Sequence, residues 1–247
     1  LGGYCIKYTI ANIGDFFGAS WGVNGADSAA FFKGFYTDPV QTVAFTVIFV
    51  FLTVLITSVG VSKGIEKFSA IAMPALFVML CVVIVRSVTL PGASEGLAFV
   101  FKPNFDVFKG TGWISVLASA SGQMFFSLSL GMAIMVTYGS YMKKNEDLQE
   151  NAVIIPIADT LIAVMAGVAI MPAVFASGQD PAAGPGLLFI TLQTVFSAMG
   201  SLGPVFGTLF YGLVFIAAIT SSISLVEAVS SAIMDRVIEK NKPVNRT

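Results

Sequence analysis

The chain contains no histidine, which removes the commonest metal ligand and the usual general base near neutral pH. Charge is scarce: 11% of the 247 residues are Asp, Glu, Lys or Arg, against about 25% in soluble domains. A water-facing surface built from so few charges would not stay in solution. Thirteen basic residues face fourteen acidic ones, so no basic surplus points to nucleic acid. Cysteine is almost missing as well. Cys5 and Cys81 lie far apart in apolar stretches and read as small hydrophobes, with neither a disulfide framework nor a metal cluster. No cysteine stands beside a base and no phosphate-binding loop is present, so the sequence is not expected to be an enzyme.

What it has is apolar length. Hydrophobic residues make up 56% of the chain, and its mean hydropathy is +0.87. An integral membrane protein is expected. The opening run, "LGGYCIKYTIANIG", is shorter than the roughly 20 residues that a crossing requires. Residues 1–13 are therefore expected to be the end of a helix in a longer protein. Five further apolar stretches follow, at residues 39–61, 65–88, 113–142, 152–176 and 204–239. The last is longer than a bilayer needs and should tilt or protrude.

Positive charge orients these segments. Lys63 and Lys67, then Lys143 and Lys144, then Arg236, Lys240, Lys242 and Arg246 mark cytoplasmic ends. Residues 15–38, 89–112 and 177–203 become outer loops, although Lys33, Lys102 and Lys109 make the rule a bias there. The third outer loop carries "LLFITLQTVF", apolar but too short to span. It is expected either to pack down as a lid or to lie at the membrane interface.

The stretch 113–142 is interrupted: Ser127, Ser129 and Gly131 fall within five positions, so a break is predicted near 127–132. Backbone polar groups at membrane depth must be satisfied internally, and a break survives only where protein or a watery cavity surrounds it. Asp159 lies in the next segment, read as its outer third, where an ionisable residue is functional by default. The last segment groups Thr220, Ser221, Ser222 and Ser224, with Glu227 one turn on. Three segments thus carry oxygen ligands, which suit a hard cation. Unwinding a helix adds free carbonyls and a half-helix N-terminus that suits a carboxylate.

"GQMFFSLSLGMAIMVTYGSY", "ADTLIAVMAGVAIMPAVFA", "AAGPGLLFITL" and "AAITSSISLVEA", in this order, resemble the neurotransmitter:sodium symporter family, prokaryotic type. "GIEKFSAIAMP" adds Gly64 and Pro74 at the spacing of that family's helix 5. The likeness runs from the end of helix 3 through helix 8. It implies an all-α membrane protein, a partial inverted-repeat bundle of leucine-transporter type with one discontinuous helix, in a bacterial or archaeal inner membrane. That fold is itself the known instance of a helix broken at midplane to form ion sites.

The resemblance also implies roles. Ser127 and Asp159 correspond to a first sodium site, and the Ala217 carbonyl with Thr220 and Ser221 to a second. Phe126, Ser127, Ser129, Met132, Ser222 and Leu225 correspond to the substrate pocket. Gln123 and Phe126 match an outer gate, Tyr141 and Asp235 an inner gate, and Gly64 with Pro74 an unwinding point on helix 5. Two positions depart from the pattern: Ala133 stands where a second glycine is usual, and Gln193 where the lid loop commonly has proline. The expected function is sodium-coupled symport, by alternating access, of amino acids or related small molecules, with a hydrophobic or aromatic amino acid favoured because Met132 suggests a pliable apolar pocket. Asp159 supplies a negative charge that would make chloride redundant, and it could carry a proton back when sodium leaves. The remaining helices of the same protein would be needed for transport. The alternatives are a proton-coupled or uncoupled permease of this fold, or a non-transporting fragment.

Overall fold

Asp38 sets the start of the first full-length span. Its carboxylate accepts from the backbone N–H groups of Val40 and Gln41 at 2.9 and 3.1 Å and from the Gln41 side chain at 2.8 Å. Pro39 fills the first helical position, where a missing N–H costs nothing. These bonds, the one from the Gln41 backbone N–H foremost and then that from the Gln41 side chain, hold the Asp38 carboxyl below the usual carboxylate range.

This computed structural model describes residues 1–23, 27–59, 66–143, 146–176, 178, 180, 181, 184 and 186–239. Gly64 lies outside them. The helices are α1 (Gly2–Phe16), α2 (Ser28–Thr37), α3 (Pro39–Ser58), α4 (Glu66–Val88), α5 (Ala93–Phe101), α6 (Gly112–Ser127), α7 (Ile134–Tyr141), α8 (Leu148–Ala176), α9 (Leu192–Ala198) and α10 (Gly203–Glu239). A 3-10 turn covers Phe105–Phe108 and a π-helical turn Leu187–Thr191. No strand occurs among the described residues. Among the described residues four helices, α3, α4, α8 and α10, are long and apolar enough to cross a membrane. At 37 residues α10 is about 55 Å long, well beyond a hydrocarbon core of roughly 30 Å.

Besides α9 in the third, the other two segments read as outer loops also contain helices: α2 within residues 15–38 and α5 within 89–112. Each is too short to register as a span. For α2 the start signal is an Asp27 cap, whose carboxylate accepts from Ala29 N–H at 2.9 Å.

The chain forms two compact units. The first comprises Leu1–Val100 and Met165–Ile223. Its core gathers Cys5, Tyr8 and Ala11 of α1 with Phe35, Phe189, Phe196, Phe210 and Tyr211, all buried. Phe189 of the π-turn meets Tyr4, Tyr8, Phe32 and Tyr211, with ring centroids 5.1 to 6.0 Å apart. A second cluster packs Ile219 and Ile223 against Phe49, Leu52, Ile56, Phe68 and Phe215. α4 runs unbroken through Pro74. Residues 187–198, the apolar part of the third outer loop, are seated in this unit, with Phe189, Thr191, Leu192, Gln193, Val195 and Phe196 buried.

The second unit comprises Phe101–Val164 and Ser224–Thr247. Among its described residues, side-chain hydrogen bonds join its helices at Ser127 to Asp159, Tyr138 with Ser224, and Tyr141 to Glu227.

Candidate functional site

The interrupted helix ends and restarts by identifiable devices. α6 stops at Ser127, and Leu128 N–H still reaches Met124 O at 2.9 Å. Ser129 then enters the left-handed region at φ 56°. Its N–H bonds to Phe126 O at 3.1 Å and that of Leu130 to Phe125 O at 2.9 Å. This is the paired closure of a Schellman motif, with serine where glycine is favoured. Gly131 follows at φ 78° and Ala133, also left-handed at φ 60°, precedes α7. Three left-handed residues in five positions turn the backbone out of helical register. The break thus lies between Ser127 and Ile134.

Ser127, the last residue of α6, donates its hydroxyl to Asp159 on α8, at 2.8 Å to Oδ1 and 2.7 Å to Oδ2. The contact spans 32 residues of sequence and lies within one unit. Charge-assisted bonds of this kind are about twice as strong as neutral ones. The position of Asp159 corrects the sequence reading. Asp159 lies nearer the Leu148 end of α8 than the Ala176 end, hence in its inner half by the orientation from the lysines, not its outer third. The helix begins earlier than expected because Asp147 caps it, accepting from Gln149 and Glu150 N–H at 2.8 and 3.1 Å.

A second oxygen cluster lies on α10. Ala217 O accepts from Thr220 Oγ1 at 3.0 Å and from Ser221 Oγ at 3.1 Å, and Thr220 is also 3.2 Å from Ile216 O. Carbonyl and hydroxyl oxygens are gathered on one helical turn with no basic side chain among them. Ser222, in the same unit, accepts from Thr53 Oγ1 of α3 at 3.3 Å. Thr53 is almost fully buried and was missed, because a threonine at helical spacing in an apolar run looks like ordinary packing.

The remaining candidates are more dispersed. Ser129 and Met132 sit half-buried in the break itself. Gln123 and Phe126 are exposed on α6, and Leu225 is exposed on α10. Tyr141 donates to Glu227 Oε1 at 2.6 Å, and Glu227 is fully buried. The sequence alone gives Glu227 no gating role and points to Asp235 instead, yet Asp235, two turns on, is exposed. Pro74 lies inside α4 and is exposed.

Known proteins resemble this chain in sequence and in fold. The profile of the sodium:neurotransmitter symporter family matches residues 37–247. The chain is 38% identical over 242 residues to an uncharacterized sodium-dependent transporter of Haemophilus influenzae, covering 96% of this chain and 51% of that protein. It is also 38% identical over 251 residues to the sodium-dependent transporter YhdH of Bacillus subtilis, covering 100% and 53%. A crystal structure of MhsT in complex with L-phenylalanine superposes with a TM-score of 0.85 at 38% identity, over 99% of this chain and 53% of MhsT. The chain spans about half the length of these relatives. A helix broken by left-handed residues, oxygen clusters at Ser127–Asp159 and at Ala217–Ser221, and this sustained likeness lead to one assignment: the chain belongs to the sodium:neurotransmitter symporter family and is part of a multi-pass integral membrane protein.

Proposed function

We propose that the protein containing this chain is a sodium-coupled symporter of hydrophobic amino acids that works by alternating access without chloride. The observation that carries this reading is the Ser127–Asp159 pair. A carboxylate and a hydroxyl, 2.7 Å apart beside a helix break, offer a dehydrated cation the hard oxygens it needs. Sodium is cargo here, and Ser127 with Asp159 would form one of its sites. The Ala217 carbonyl with Thr220 and Ser221 would form a second. The charge on Asp159 balances the ion locally, which leaves no need for a chloride.

The broken helix supplies the substrate end of the mechanism. Free N–H groups at the start of α7 suit the carboxylate of an amino acid. Phe126, Ser129, Met132, Ser222 and Leu225 would line the pocket, Gln123 and Phe126 gate it from outside, and Tyr141 and Asp235 from inside. Residues 187–198 would act as an outer lid. The phenylalanine bound to MhsT supports an apolar or aromatic side chain. The test is uptake of radiolabelled amino acids by the full-length protein in proteoliposomes, with sodium present or absent and gluconate in place of chloride. Sodium-dependent uptake that survives the exchange supports the reading. Uptake that stalls without chloride refutes the role given to Asp159.

A further inference from the structure

The segment 187–198 is joined to the first helix by a buried pair of amides. Asn12 Nδ2 donates to Gln193 Oε1 at 3.1 Å, and Gln193 Nε2 donates to Asn12 Oδ1 at 3.4 Å. Both side chains are fully buried, and 181 residues separate them. Asn12 Nδ2 also donates to Tyr8 O at 2.9 Å. α10 closes over the pair at Gly207, where a Cβ would run into Asn12 Oδ1. One turn further along α10, Tyr211 donates to Leu188 O at 2.8 Å and so ties down the π-turn.

The ring cluster around Phe189 would hold the segment against α1 without any amide. Ring packing is tolerant of small sliding, however, whereas two reciprocal hydrogen bonds admit one register. Breaking one side leaves the other amide buried and unsatisfied. Gln193 also occupies the position where the family resemblance leads one to expect proline, whose side chain neither donates nor accepts. The buried amide at Gln193 and the room made for Asn12 at Gly207 are therefore complementary features of three separate elements.

We propose that Asn12 and Gln193 are positioning residues, a latch that fixes the register of the lid segment 187–198 on α1 so that the two move as one body in the transport cycle. The latch rests on the symport reading for its purpose, but its existence is tested independently. In the full-length protein in nanodiscs, backbone amide hydrogen exchange is followed across 187–198 and, as a control for the fold, across α3. The variants are Asn12→Ala, Gln193→Leu, which keeps the volume, and the two combined. Each single change should speed exchange in 187–198 roughly tenfold, the expected scale for one buried amide left unpaired. The combined variant should be no faster than either single, because neither partner is then stranded, and α3 should be unchanged throughout. In uptake, Gln193→Leu should lower maximal rate while leaving the sodium concentration for half-maximal uptake within about twofold. Exchange that is unaltered, or effects that simply add in the combined variant, overturns the latch. A normal maximal rate overturns its role in the cycle. Coupled exchange in a protein that takes up nothing in response to sodium would instead overturn the symport reading and keep the latch.

Discussion

Ser127 and Asp159 meet across 32 residues, one hydroxyl donating to both oxygens of one carboxylate at 2.8 and 2.7 Å. If the pair forms the proposed sodium site, that hydroxyl proton occupies the space that the ion would take, and both groups would turn their oxygens to the sodium on binding. Ser127→Ala and Asp159→Asn should each weaken sodium affinity tenfold or more, about 1.4 kcal/mol for each decade. Isothermal titration of the full-length protein with sodium chloride decides the matter. An Asn variant of unchanged affinity would remove Asp159 from the site.

The break carries measurable strain. Ala133 is held at φ 60°, where a Cβ costs about 1–2 kcal/mol relative to glycine. Ala133→Gly should therefore raise the thermal midpoint, by an amount corresponding to about 1 kcal/mol once the extra freedom of glycine in the unfolded chain is allowed for. Gly131→Ala, at φ 78°, should lower it by a similar amount although nothing crowds that position. Thermal unfolding in detergent by intrinsic fluorescence compares the three proteins. A lower midpoint for Ala133→Gly would contradict the assigned strain.

Thr220 and Ser221 share the carbonyl of Ala217. Their hydroxyls bond back within the helix, so Thr220→Val with Ser221→Ala should change stability by less than about 1 kcal/mol. The same double variant should lose sodium-stimulated substrate binding, because two ligands of a dehydrated ion are gone. Scintillation proximity binding at several sodium concentrations, alongside a melting curve, separates the two effects. Wild-type sodium stimulation would exclude this cluster as an ion site.

Pro74 interrupts the hydrogen-bond ladder of α4 at one position while the helix continues through it. If the inner path opens by loosening this helix, Pro74→Ala should slow turnover severalfold and leave outward sodium binding nearly intact. Single-turnover and steady-state uptake give the comparison. Equal turnover in the two proteins would rule out a role for the proline in opening.

Apolar run lengths and the scarcity of charge specify a helical membrane protein, because the hydrocarbon core admits no unpaired backbone and demands length. The break was legible for a related reason: Ser129 and Gly131 stand where an apolar helix former would otherwise be expected. The short helices α2 and α5 were not, since 9 or 10 residues carry too weak a periodic signal to stand out from loop composition. Asp159 lies close to the start of the run 152–176, the end that follows Lys143 and Lys144, so the charge rule alone already sets it in the inner half; the Asp147 cap, outside the apolar run, only extends the helix further inward.

The sequence by itself determined which residues carry oxygen, that the chain belongs in a bilayer and where a helix must break, all of which follow from local composition and the solvent. Only the tertiary structure decided which oxygens meet. Ser127 faces Asp159, Tyr141 finds Glu227, Thr53 reaches Ser222, and Asn12 pairs with Gln193 from opposite ends of the chain. The physical reason is that a hydrogen bond needs its partners within about 3 Å, and at separations of 32 to 181 residues that proximity is set by how helices pack, which local sequence does not encode.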